Sequence, residues 1–488
     1  MTGTEELIVK VTIGVMDKQG NNVANKVLEV LTEFGVLQPS YFGLVGPRKR
    51  VLDEKPDLLV KQSSESSTFV GYASSKPAAK GYEFLQLDAA ALVFQGKVYS
   101  PLSKADVLHQ LTIEPEHCET ILQTLIEKAD GDYSFLMLGT DWFAAGRDPI
   151  GVQPLYYGEN QDVAAVATNR KALWKLGIEK PASFPPGNLA FINRNGFQFK
   201  QVKSLSFSAP NPITLDDAAR KLQALIEESI RRRIHDVKEV MVAFSGGLDS
   251  SLVAYLASKL KMKVNLLYVS MENQAETEQA IAASEQLNLP LQVHLYKDSD
   301  VEKTLPEVVE LIEEADPIKA SIGLPFFWTA EKAAEAGFHV VLAGQGADEL
   351  FGGYQRYVNE YCKEGSEKVL RTMFHDVVNI YLSNLERDLK ITSYHDIELR
   401  LPFASFNIAE FAVNLPIECK IEPRPDTLRK LVLRRVALNV GMPSSVADKP
   451  KKAVQYSTGI NDAVKRVAKK HGKTVNEYIK ELYEHSRR

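Results

Sequence analysis

The chain of 488 residues is 44% apolar and 25% charged and carries a formal net charge of −5. This length supports two or more domains with sizeable cores, and the composition excludes a collagen-like, disordered or disulfide-scaffold protein. The small acidic excess argues against nucleic-acid binding, which usually shows a basic face.

No run of roughly 18 apolar residues marks a membrane span. The opening MTGTEELIVKVTIGV lacks the basic and apolar regions of a signal peptide. Cys118, Cys362 and Cys419 are far apart and match no zinc-ligand spacing; they read as reduced thiols of a cytoplasmic protein.

Residues 7–16 form a strand pattern, and Asn22–Phe34 a helix pattern. Short apolar runs bounded by Gly, Asp, Asn or Pro follow, among them YSFLMLGT, WFAAGR, PLYYGE, VAAVAT and NLAFI, with a second helix pattern over Glu116–Glu127. Such spacing predicts antiparallel sheets in layers, an α+β first domain. Ser204–Pro212 (SLSFSAPNP) is a linker candidate. Thr214 then opens a helix, with Asp217 three positions on. Arg231-Arg232-Arg233 closes that helix and reads as a solvated end favoured by the macrodipole.

Beyond it the rhythm alternates. Strands are predicted at Glu239–Phe244, Val264–Val269, Pro290–Tyr296 and His339–Ala343. Helices are predicted at Asp249–Leu260, Glu276–Leu287, Val301–Glu314 and Pro325–Ala336. This is the pattern of an α/β doubly wound parallel sheet, with ligands at the carboxyl ends of its strands. The tail beyond Ser366 reads as helical, without a strand.

The strongest chemical signal is Ser245-Gly246-Gly247-Leu248-Asp249-Ser250-Ser251, placed between a buried strand and a helix. A helix N-terminus offers free N–H groups to an anion, and the glycines let a phosphate approach the backbone. Asp249 beside phosphates implies an intervening cation, assigned as Mg²⁺. A glycine turn with a serine cap is the plain alternative. It is no Walker A loop, because no lysine follows. A second loop, Gly344-Gln345-Gly346-Ala347-Asp348-Glu349-Leu350-Phe351-Gly352-Gly353-Tyr354, also follows a strand, and Asp348 is suited to share the ion.

SGGLDSS resembles the pyrophosphate loop of N-type ATP pyrophosphatases. Together with GQGADELFGGY it resembles the synthetase half of the glutamine-dependent asparagine synthetase family. Further matches are Asn384–Asp388, Ile397–Phe403 and Pro450-Lys451-Lys452, and, more patchily, Gln95–Tyr99 and Gly146–Tyr157 of an N-terminal-nucleophile (Ntn) glutaminase half. Carbapenam and β-lactam synthetases share this plan. The resemblance implies a glutaminase-like domain over 1–205 and an ATP pyrophosphatase domain over 213–488. It implies an AMP-forming ligase that activates a carboxylate as an acyl-adenylate, by default aspartate, which ammonia converts to asparagine. ATP and Mg²⁺ are its cofactors and its partners are small molecules; a homodimer is compatible with it.

By the same resemblance Ser245, Gly246, Gly247, Asp249 and Ser250 hold pyrophosphate and the ion, Asp348 is the second ion ligand, Phe244 and Val269 flank adenine, and Gly344 lies beside the nucleotide. Lys451 aligns with the lysine that stabilises the intermediates, with Lys452 next to it. Two departures stand out. Gln345 replaces a glutamate, and a neutral amide cannot take a proton; Glu386 is the alternative base, or else a structural ion-pair member. The N-terminal cysteine nucleophile is missing, with Lys10 in its place, Thr2 a remote substitute, Gln95 for an asparagine and Lys104 for an aspartate. The first domain is therefore expected to lack glutaminase activity. The competing readings are a synthetase acting on another carboxylate or an internal amine, and a non-catalytic nucleotide-binding protein.

Overall fold

The computed structural model describes residues 9–33, 39–74, 84–88, 90–99, 102–424, 428–449 and 458–487. The chain divides into two compact units, one up to Ser204 and one from Leu205 to Ser486.

The first unit stacks a seven-stranded on a six-stranded sheet, with antiparallel pairing throughout. Strand Val9–Asp17 lies inside the larger sheet, between Val163–Ala167 and Thr68–Ser74. Alternation sends its side chains to opposite faces. Val11, Ile13 and Val15 pack with Val27 and Leu31 of helix Ala24–Thr32, whereas Met16 joins Val93, Leu136 and Ala145 between the sheets. Leu122, Leu125 and Ile126 of helix Cys118–Lys128 cover the outer face of the second sheet. The layers run helix, sheet, sheet, helix.

One helix not foreseen, Lys104–Ile113, buries only Val107 and Leu111, so its apolar stripe is faint. A capping box starts it: Ser103 Oγ accepts from Asp106 N at 3.1 Å, and Asp106 Oδ2 accepts from Ser103 N at 3.0 Å.

The second unit contains a five-stranded, wholly parallel sheet made of β1 (Glu239–Ala243), β2 (Lys263–Met271), β3 (Leu291–Tyr296), β4 (Val340–Leu342) and β5 (Glu398–Arg400), in the order β3-β2-β1-β4-β5. Its helices include α1 (Leu215–Ile234), α2 (Leu248–Lys259), α3 (Ala275–Leu287), α4 (Asp298–Ile312) and α5 (Pro317–Glu335). Because β1 has β2 on one side and β4 on the other, the strand order reverses there. That reversal opens a crevice at the carboxyl ends of β1 and β4.

Three expectations change. The tail does contain a strand: β5 is only three residues long, too short for a period, and extends the sheet by pairing with β4. Helix α5 begins eight residues before Pro325, because Asp316 Oδ1 caps it, accepting from Ile318 N and Lys319 N at 2.8 and 3.0 Å, with Pro317 in the first turn. Arg233 is not solvated but fully buried. Its Nη1 donates to Ser229 Oγ at 2.9 Å, and its carbonyl accepts from Arg400 of β5.

Candidate active site

The chain leaves β1 through Phe244 and Ser245 and enters α2. Gly246 has φ +65°, and a Cβ on it would lie 2.9 Å from the Ala280 Cα, so glycine is required on both counts. The loop is tied internally: Ser245 N and Gly247 N donate to Ser250 Oγ and Ser245 Oγ at 3.2 and 3.3 Å. Gly247 caps α2 without a side-chain acceptor, which leaves the helix N-terminus suited to an anion.

The second loop leaves β4 through Ala343 and Gly344. A Cβ on Gly344 would stand 2.9 Å from Asp249 Cβ and 3.2 Å from Ser250 N. Glycine therefore lets the two strand-end loops touch, bringing Asp249 and Asp348 to one place. Between them sits Lys430, whose Nζ lies 2.5 Å from Asp249 Oδ2 and 2.7 Å from Asp348 Oδ1. Lys430 is 2% exposed and precedes α6 (Leu431–Asn439). Lys449 Nζ donates to Gly246 O at 3.0 Å. Arg434 of α6 donates to the carbonyls of Arg429, Ala447 and Lys449 at 2.6, 2.5 and 3.0 Å, fastening the backbone beside both lysines.

One cavity runs from the two strand-end loops toward α5 and is lined by Phe244, Ser245, Asp249, Ser250, Val269, Gly344, Gln345 and Asp348, all predicted from sequence. Tyr354, Asn384 and Arg387 line it as well and were not predicted. Gln345 Nε2 donates to Asp388 Oδ2 at 2.5 Å, and Arg387 Nε donates to Asp388 Oδ1 at 2.6 Å. Burial raises the Asp388 carboxyl above its usual range, and the Arg387 charge partly offsets this. Glu349 is also buried and raised, first by desolvation and then by the Asp348 charge; it accepts from Tyr354 Oη at 2.6 Å and Asn384 Nδ2 at 2.7 Å.

Glu386 is buried but is not among the described lining residues; the carboxylate joined to Gln345 is that of Asp388. The reason is local. Tyr381–Leu385 forms a wide π turn, closed by the Glu386 N–H donating to Tyr381 O, and α7 (Glu386–Tyr394) starts from it. Lys451 and Lys452 lie outside the described residues. Lys430 gave no motif signal of its own.

Asp249 and Asp348 already converge on one cationic nitrogen. Two carboxylates beside a phosphate-binding helix terminus are the donor set that suits Mg²⁺, which commonly takes one or two carboxylates and completes its shell with phosphate oxygens and water.

In the first unit, Lys10 belongs to strand Val9–Asp17, and Thr2 lies outside the described residues. Gln95 is half-buried, and the Lys104 ammonium lies 5.0 Å from the centroid of the Phe94 ring. Of the three cysteines, Cys118 is half-buried, Cys362 exposed and Cys419 buried. The Arg147-Asp148 pair builds a turn: Asp148 accepts from the backbone N–H groups of Ile150, Gly151, Val152 and Gln153, and Arg147 donates to Phe184 O and Gly151 O. Among the described residues, no helix is long and apolar enough to cross a membrane.

Comparison with known proteins agrees with this architecture. The asparagine synthase family model matches residues 221–371 and 361–486, and a glutamine amidotransferase domain model matches 85–175. A protein of Methanocaldococcus jannaschii that bears the name of a glutamine-hydrolysing asparagine synthetase is 31% identical over 445 residues, covering 80% of this chain and 82% of its own length. The asparagine synthetase of Asparagus officinalis is 27% identical over 72% of this chain, and that of Schizosaccharomyces pombe 29% over 62%. The chain spans 61% and 59% of those two relatives. The asparagine synthase model, which matches more than half of the chain, and the 31% identical relative together mean that the chain belongs to the asparagine synthetase family of carbon–nitrogen ligases.

Proposed function

We propose that the protein makes asparagine from L-aspartate and ammonia in an ATP-dependent, AMP-forming reaction. A β-carboxylate oxygen attacks the α-phosphorus, the α–β bridge breaks and pyrophosphate leaves. Ammonia then attacks the acyl carbon, the bond to AMP breaks, and the nitrogen sheds a proton. The observation that supports this most is the meeting of two strand-end loops through Gly344, with Asp249 and Asp348 facing a single cation beside the helix N-terminus.

Ser245, Gly246, Gly247 and Ser250 hold the outer phosphates with the first turn of α2, while Phe244 and Val269 flank the base. Asp249 and Asp348 hold Mg²⁺, which neutralises phosphate charge when bound. Lys451 stabilises charge in the intermediates. Gln345 hands its amide N–H to Asp388, which leaves its carbonyl oxygen as an acceptor for an N–H group of a substrate. Asp388, fully buried and not itself among the lining residues, fixes the orientation of Gln345 and Arg387, and Glu386 stays the candidate base, with a structural ion pair as its alternative.

Ammonia rather than glutamine is the donor, because Lys10 stands on the first strand where the family carries its cysteine nucleophile. A second reading, a synthetase for a different carboxylate, is favoured by Gln345 alone. The test is ATP–pyrophosphate exchange. Exchange that requires aspartate and disappears in Asp249→Ala supports the proposal; exchange with another carboxylate only supports the second reading. Nucleotide binding without exchange for any carboxylate overturns both.

A further inference from the structure

Arg387 has no role in the scheme above. Its side chain is 2% exposed, yet it lines the cavity. Nε donates to Asp388 at 2.6 Å and Nη1 donates to Ser383 O at 3.3 Å, while Nη2 has no partner among the described residues. A buried charged donor without an acceptor is unfavourable, and buried guanidinium groups recur where carboxylates or phosphates are recognised.

The neighbouring groups narrow the ligand. Asn384 donates its Nδ2 to Glu349, so its Oδ1 is turned away from that carboxylate. Gln345 donates its Nε2 to Asp388, so its Oε1 is likewise left as an acceptor. All three residues line one cavity. One donor edge and two acceptor oxygens complement a carboxylate beside an ammonium. That is the head of an α-amino acid.

We propose that Arg387 Nη2 binds the non-reacting α-carboxylate of an α-amino-acid substrate, and that Asn384 Oδ1 and Gln345 Oε1 receive its ammonium N–H groups. The assignment rests on the amide-synthesis reading, with the reacting carboxylate directed to the phosphate loop. Asp388 is a positioning residue for this purpose: it holds Arg387 by the Nε edge and leaves the Nη2 edge to the ligand.

Calorimetric titration of the full chain tests this, in Mg²⁺ and saturating α,β-methylene-ATP, with L-aspartate and with β-alanine. β-Alanine keeps the amine and the reacting carboxylate and lacks the α-carboxylate. Wild type is expected to bind aspartate at least tenfold more tightly than β-alanine. Arg387→Lys, which keeps a cation beside Asp388, is expected to lose most of that preference while its affinity for the nucleotide analogue alone changes less than threefold. An unchanged preference in the variant, or a parallel loss of nucleotide affinity, overturns the assignment. If the variant does not fold, the wild-type comparison decides by itself, because equal binding of the two ligands also overturns it. Wild-type ATP–pyrophosphate exchange separates the two claims. Exchange without a binding preference sinks only the Arg387 assignment; a preference without exchange sinks only the ligase reading.

Discussion

The Lys430 ammonium lies 2.5 Å from the Asp249 carboxylate, although 181 residues separate them in the chain. With Asp348 at 2.7 Å on the other side, one lysine holds two carboxylates together in a mostly buried site. Removing one partner of such a group leaves uncompensated charge. Lys430→Met is expected to lower stability by about 3–5 kcal/mol without divalent cations, and millimolar Mg²⁺ to restore part of the loss. Chemical denaturation with and without MgCl₂ reads this directly. A variant as stable as wild type would contradict it.

Gly344→Ala forces a methyl group to within 2.9 Å of Asp249 Cβ. Backbone hems this contact on the Ser250 side, so the loops must part by a few tenths of an ångström. Overpacking of this kind costs roughly 1–3 kcal/mol. ATP–pyrophosphate exchange is expected to fall by more than tenfold, a larger effect than the change in melting temperature suggests. Normal exchange in this variant would show that the contact is not needed for nucleotide chemistry.

Lys420 is 2% exposed, and burial lowers its ammonium from 10.5 to about 7. Between about 7 and 10.5 the unfolded chain binds the proton that the folded chain has lost, so this residue makes stability rise with pH across that window. Below pH 7 its full cost, on the order of 5 kcal/mol, is present. Lys420→Met is therefore expected to be more stable than wild type at pH 6, with the gap closing toward pH 10. Urea melts followed by tryptophan fluorescence at both pH values check the sign. A gap that stays constant would mean that the lysine is charged in the fold.

Product formation is expected with ammonium chloride and not with glutamine under the proposal that Lys10 stands at the family's nucleophile position. Glutamate release from glutamine by the purified protein, measured by coupled dehydrogenase assay, would refute this.

Much of the site was readable from sequence because its parts are contiguous. SGGLDSS and GQGADELFGGY each follow a strand, and each carries its glycine, its carboxylate and its backbone donors within a few residues. The elements that escaped depend on distant partners. Lys430 is one basic residue in the run Leu428–Arg435, and only folding brings it to the two aspartates. Arg233 sits in a basic triplet that looks solvated, yet β5 and its Arg400 close over the end of α1. That Gln345 meets Asp388 follows a π turn, whose extra residue is invisible to 3.6-residue periodicity. Strand β5 carries too few residues to register as a pattern.

The Arg434 guanidinium grips three carbonyls, those of Arg429 beside Lys430, of Lys449 itself and of Ala447. The pair of basic arms is consequently a bracket assembled during folding rather than two side chains recruited separately. Their ordering entropy is largely spent on folding, before any ligand arrives. Loosening that bracket by changing Arg434 should therefore free both arms in concert rather than one at a time.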